Sequence, residues 1–165
     1  QPGGGDPGGG SLVDCGDPPD ITLPEGDTAW PILFVTQVPT KSDFVSVMST
    51  FGNHQAFIGR VPRGGDLYIR YPDGTLRNLT REAGFGSDGL QVGDDQIAVR
   101  EPCVHWCGTK AVFSMVIGGP DYLGDWDDDE RWQLYEVTGF LPGETVQIRK
   151  VPRQPEEYNL SLIHI

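Results

Sequence analysis

Helical periodicity is nearly missing from this chain, and so is any apolar run of the 18 or so residues that a membrane helix needs. Only Asp43 to Phe51 passes for a short helical turn, and its pattern fits a strand or an irregular insertion equally well. Basic residues are scarce too. Twelve Lys and Arg stand against 24 Asp and Glu, a net charge of −12. That balance argues against nucleic acid and anionic lipid, both of which select clustered cations, and leaves a cationic or basic ligand open. With three cysteines in all, the chain has no C-x-x-C-H haem-attachment motif. It has no G-x-S-x-G elbow either, and spacing assembles no Ser/His/Asp set. Glycine and proline are plentiful, 23 and 14, as in a loop-rich all-β protein.

The stretch from Gly65 to Thr80, GDLYIRYPDGTLRNLT, writes out a β-hairpin. Its first arm, Asp66 to Tyr71, alternates and is rich in β-branched and aromatic residues. Pro72-Asp73-Gly74 then supplies a fixed φ, a side chain able to bond its own backbone, and a residue free to take φ > 0. The second arm, Thr75 to Thr80, is expected to bring Leu76 and Leu79 to a core. The unit partly recurs. In one copy, about 30–80, the strand Trp30 to Val38 precedes the hairpin. In the other, about 98–152, Ala98 to Trp106 leads through the turn Cys107 to Lys110 into Ala111 to Ile117. An outer pair, Arg131 to Thr138 and Glu144 to Val151, follows around Gly139 to Gly143. Phe34 corresponds to Phe113 and Tyr68 to Tyr135. Self-similarity at this period is the mark of a β-propeller, with a β-sandwich as the competing fold.

The A-x-F-S strand, the L-Y strand and the D-G turn resemble the TolB-type propeller repeats of bacterial extracytoplasmic proteins. The longer strings FVTQVP, STFGNH, GGDLYIRYPDGTLRNLT and VHWCGTKAVFSMV resemble the middle propeller domain of the hydrazine synthase alpha subunit family, over about Trp30 to Asn159. The resemblance implies a six-bladed propeller, flanked in the family's enzyme by domains carrying c-type haem. Residues 30–159 number 130, and a blade takes roughly 40 to 50. The expectation is therefore a fragment of about two to three blades, with apolar surface left open on at least one side.

Residues 1–29 open as QPGGGDPGGGS and are read as a disordered glycine/proline tether. Such a tether fits a periplasmic or extracellular protein, with a lipid anchor or membrane tether upstream of Gln1 as an option. Residues 160–165, LSLIHI, match the in-frame translation of a transposon end used in sequencing libraries and are read as non-native.

Three groups of residues are candidates for chemistry. Asn53, His54 and Arg60 fall in the long insertion after the first strand, and insertions between propeller strands map to a binding face. Cys103, His105 and Cys107 alternate, so on a continuous strand all three would share one face, with ligand types suited to zinc. A Cys103–Cys107 disulfide is disfavoured there, because four strand residues span about 13 Å against the roughly 4.4 to 6.8 Å a bridge needs. Cys15 bridging one of them is a further option, and small buried thiols are the plainer expectation. For His105 the plainer reading is a packed, hydrogen-bonded strand residue. Asp125, Asp127 and Asp129 take positions 1, 3 and 5 of a calcium-loop register, but Glu130 stands where the sharp turn requires glycine. A looser carboxylate cage for calcium, or a solvated acidic loop, remains. The sequon Asn78-Leu79-Thr80 is read as coincidental.

The functional expectation is an extracytoplasmic binding or assembly scaffold that holds a protein or small-molecule ligand on a propeller face, with no cofactor in this fragment. Two alternatives stand beside it. One is the propeller portion of a haem-dependent oxidoreductase subunit, the haem being carried elsewhere, and the other is a calcium-stabilised extracellular module.

Overall fold

A computed structural model describes residues 22–23, 25–26, 28–38, 58, 61, 63–86, 93–119 and 130–160. The expectation of an all-β chain holds. Among the described residues seven strands form two antiparallel sheets, with one short α-helical turn. The first sheet runs β1 (Ile32–Val35), β2 (Leu67–Arg70), β3 (Leu76–Asn78), and the helical turn α1 (Leu79–Glu82) follows it. The second runs β4 (Ile97–Val104), β5 (Lys110–Ile117), β6 (Gln133–Thr138), β7 (Gln147–Lys150). In both sheets every strand pairs with its neighbour in sequence.

The hairpin turn between β2 and β3 follows its local chemistry. Gly74 sits at φ 86°, its N–H donates to the Tyr71 carbonyl at 2.9 Å, and Asp73 Oδ1 accepts from Thr75 N at 2.9 Å. The second arm departs from expectation. It remains a strand only to Asn78, whose Oδ1 accepts from Arg81 N at 3.1 Å and caps the helical turn. Leu79 reaches the core from that turn, whereas Leu76 is 55% exposed. Between β6 and β7, Gly139 takes φ 70°, and a Cβ there would run into the Thr145 carbonyl oxygen.

Strand register decides which faces meet. Val35 pairs with Leu67 and Leu33 with Ile69, and these four lie in or against the main core. Phe34 pairs with Tyr68, and Ile32 with Arg70, so both pairs occupy the opposite face of the first sheet. In the second sheet Phe113 pairs with Tyr135 and Ala111 with Val137, and all four face the main core beside Val99 and Met115. The two corresponding aromatic pairs have similar geometry, Phe34 and Tyr68 stacked with centroids 5.7 Å apart, Phe113 and Tyr135 tilted at 6.1 Å. One pair lies inside the inter-sheet core and the other outside it. By the sequence correspondence, then, the sheets stack face to back. The face of the first sheet that carries Phe34 and Tyr68 also presents Ile32 and Leu76, both exposed.

A smaller core lies on the far side of the second sheet, where Ala98, Val116 and Trp132 pack with Ile58 and Val61. Arg63 fastens this segment, donating to the carbonyls of Gly118, Ile58 and Val61 at 2.6, 3.0 and 2.6 Å. Arg100 lies over the Trp132 ring at 4.0 Å, and burial pushes its guanidinium down from the ordinary value while Glu101 acts in the opposite direction. On the other side, Tyr71 Oη donates to the Phe140 carbonyl at 2.7 Å and ties the two sheets together.

Candidate functional site

A cleft of about 330 Å³ opens at one end of the inter-sheet core. Trp30, Pro31 and Leu33 line it from the first sheet's side, with Ile69 at its floor, and Val104, Cys107, Phe140 and Leu141 line it from the second. The wall is overwhelmingly apolar, and Thr109 and Cys107 supply the polar atoms that stand out in it. Trp30 is 73% exposed and the neighbouring Trp106 86%. Large exposed aromatics around an apolar depression are a common anatomy of binding sites.

The β4–β5 hairpin builds one wall. The strand ends at Val104 rather than continuing to Trp106, and the tight turn is His105 to Gly108, closed by Gly108 N donating to the His105 carbonyl at 2.9 Å. A register shift between Arg100 and Cys103 interrupts the ladder, with Glu101 at φ 55° and Pro102 unable to donate. Past the bulge Cys103 pairs with Val112 and Val104 with Ala111. Val104 therefore lies on the core side, which leads into the cleft, and Cys103 on the opposite side.

This geometry corrects the alternating-strand reading of Cys103, His105 and Cys107. The three do not project from one strand face, because the strand has ended and the bulge has reset the alternation. Nor are the thiols buried, since Cys103 is exposed and Cys107 half-buried, and neither is in a disulfide. His105 Nδ1 lies 2.9 Å from Cys107 Sγ. Two ligands of a tetrahedral zinc ion, about 2.0 and 2.3 Å from the metal, would stand about 3.5 Å apart. The pair is in hydrogen-bond contact instead, and among the described residues no group of three or more His, Cys, Asp or Glu is placed to hold a metal ion. His105 is half-buried, hydrogen-bonded and tilted against Trp106 at 5.2 Å. The sequence has no C-x-x-C-H motif, so the chain offers no covalent attachment point for a c-type haem. Asn53, His54, Arg60, Asp125, Asp127, Asp129 and Cys15 lie outside the described residues.

Apart from Cys107, the cleft residues were not singled out from the sequence. Trp30 and Val104 read as strand positions, and Phe140 and Leu141 as loop. Their convergence depends on which ends of the two sheets meet. Arg77 was likewise missed. It donates to Glu82 at 2.6 Å, to Tyr71 Oη at 3.0 Å and to the carbonyls of Leu141 and Glu144 at 3.2 and 3.1 Å, clasping the turn that carries part of the cleft wall. The hydrogen bond to Glu82, foremost, holds its guanidinium above the ordinary value. Among the described residues no helix is long and apolar enough to cross a membrane. No family model, no curated protein and no solved structure matches the chain.

Proposed function

We propose that this chain is an arc of a β-propeller acting as an extracytoplasmic binding or assembly scaffold, and that its ligand places an apolar or aromatic group in the cleft between Trp30 and Phe140. The observation that carries the reading is the cleft, an apolar depression of about 330 Å³ with Trp30 on its wall. Face-to-back stacking supports the propeller. Blades related by rotation about a central axis must each present one face and receive the other, whereas a sandwich buries the inner faces of both its sheets against each other. The exposed Ile32 and Leu76 would then mark the face a neighbouring blade covers. Placement outside the cytoplasm draws on the sequence resemblance and the glycine/proline tether.

The test is titration of the isotope-labelled chain with indole, a neutral aromatic probe, followed by methyl and amide shifts. The expected result is saturable perturbation centred on Leu33, Ile69, Val104, Gly108 and Thr109, lost in Val104→Glu, which puts a carboxylate into the cleft wall. Perturbation centred on Ile32 and Leu76, or binding unchanged in V104E, would remove the cleft as the site.

A further inference from the structure

Cys107 stands at the wall of the cleft with two polar groups aimed at its sulfur. His105 Nδ1 is 2.9 Å away and Thr109 Oγ1 3.0 Å. The Cys107 backbone N–H also points to Nδ1, at 3.3 Å. That backbone contact fits the neutral tautomer with its proton on Nε2, in which the Nδ1 lone pair is shared between the Cys107 N–H and its thiol. A thiol beside a proton acceptor, with a hydroxyl able to donate to the resulting thiolate, has the composition of an activated nucleophile.

The cleft gives this thiol something to react with. Its apolar wall, contributed by Trp30, Leu33, Val104 and Phe140, suits an uncharged aromatic or aliphatic body. A chain of net charge −12 disfavours an anionic one. Cys103 serves as an internal comparison: it is exposed, yet lies on the opposite side of the hairpin, away from the cleft.

We propose that Cys107 is a covalent capture site for a neutral, apolar disulfide seated in the cleft. The thiol proton passes to His105 Nδ1, and the thiolate attacks one sulfur of the ligand's disulfide. The ligand's S–S bond breaks as the new one forms. The departing thiolate takes the proton back from the imidazolium. Cys107 ends oxidised as a mixed disulfide, and half of the ligand leaves reduced as a thiol, so no further oxidant is needed. This deepens the reading of the cleft as a binding site and rests on it.

The test compares Cys107 alone (Cys15→Ser, Cys103→Ser) with Cys103 alone (Cys15→Ser, Cys107→Ser), using two probes over pH 5 to 9. Iodoacetamide is small and measures the thiol, and 4,4′-dithiodipyridine, a neutral aromatic disulfide, measures thiol and cleft together. With iodoacetamide at pH 6, Cys107 is expected to react about tenfold or more faster than Cys103, and the ratio is expected to widen as pH falls, the Cys103 profile being the steeper. His105→Gln should return Cys107 to the steep profile. In V104E the dithiodipyridine rate, divided by the iodoacetamide rate of the same variant, should fall several-fold, the ratio cancelling any effect of the new carboxylate on the thiol itself. Equal profiles for the two cysteines with iodoacetamide overturn the activated thiol, whatever the cleft does. Activation with iodoacetamide but no fall of that ratio in V104E overturns the cleft's part and the binding reading with it. Should H105Q fail to fold, the profiles of the two single-thiol chains decide the question without it.

Discussion

Arg77 shows how much one partly exposed residue can hold. Its contacts to Tyr71 Oη and to the carbonyls of Leu141 and Glu144 cross from the first sheet to the β6–β7 turn. The exposed partner Glu82 adds little, since a solvated ion pair is screened. Arg77→Met keeps the aliphatic stem and removes the donors, and should cost about 1–3 kcal/mol in urea unfolding, as expected for hydrogen bonds from a charged donor. A cost near zero would mean that the carbonyls are as well served by water. Tyr135 supplies a pH prediction. Burial pushes its phenol above the ordinary value, so the folded chain holds that proton to higher pH than the unfolded one. Stability from this group is full below about pH 10, where the unfolded phenol begins to ionise, and is lost as pH rises through the folded value. Alkaline denaturation of Tyr135→Phe should accordingly show a shallower decline above about pH 10 than the parent chain. An identical slope would contradict the assignment.

Strands and turns were legible where their cause is local. Pro72 to Gly74 needs only its own residues to turn, and the paired aromatics of both copies fall in register as Phe34 with Tyr68 and Phe113 with Tyr135. The errors arose where local signals compete. Asn78 and Glu82 are also a helix start, a cap with a carboxylate in the first turn, and that signal outweighs the strand pattern and carries Leu79 inward in place of Leu76. Glu101-Pro102 likewise announces a broken ladder, which an alternation rule applied through Cys103 to Cys107 overlooks. The end of β6 depends on a contact no pattern reveals. Gln154 donates to the Leu134 carbonyl at 2.9 Å and accepts from its N–H at 2.7 Å, continuing the ladder with a side chain beyond the end of β7. Gln154→Ala should cost about 1–2 kcal/mol and raise amide exchange at Leu134 well above that of Tyr135. Unchanged protection at Leu134 would show that the side chain is dispensable.

For the whole molecule, composition indicated the all-β class and spacing indicated two sheets, but not how they meet. That relation rests on which face of each sheet is apolar enough to bury, and both faces of the first sheet carry large residues, Leu33 and Ile69 on one, Phe34 and Tyr68 on the other. The cleft exists because the Leu33 and Ile69 face of the first sheet packs on the Phe113 and Tyr135 face of the second, with the Trp30 and Phe140 ends together. A methyl and aromatic NOE experiment on the labelled chain tests that relation directly. The account predicts cross-peaks from the Phe113 and Tyr135 rings to methyls of Leu33, Val35, Leu67 or Ile69, and none from the second sheet to the rings of Phe34 and Tyr68. Cross-peaks joining the Phe34 and Tyr68 rings to those of Phe113 and Tyr135 would place like faces together, and would contradict the stacking, the propeller reading and the cleft at once.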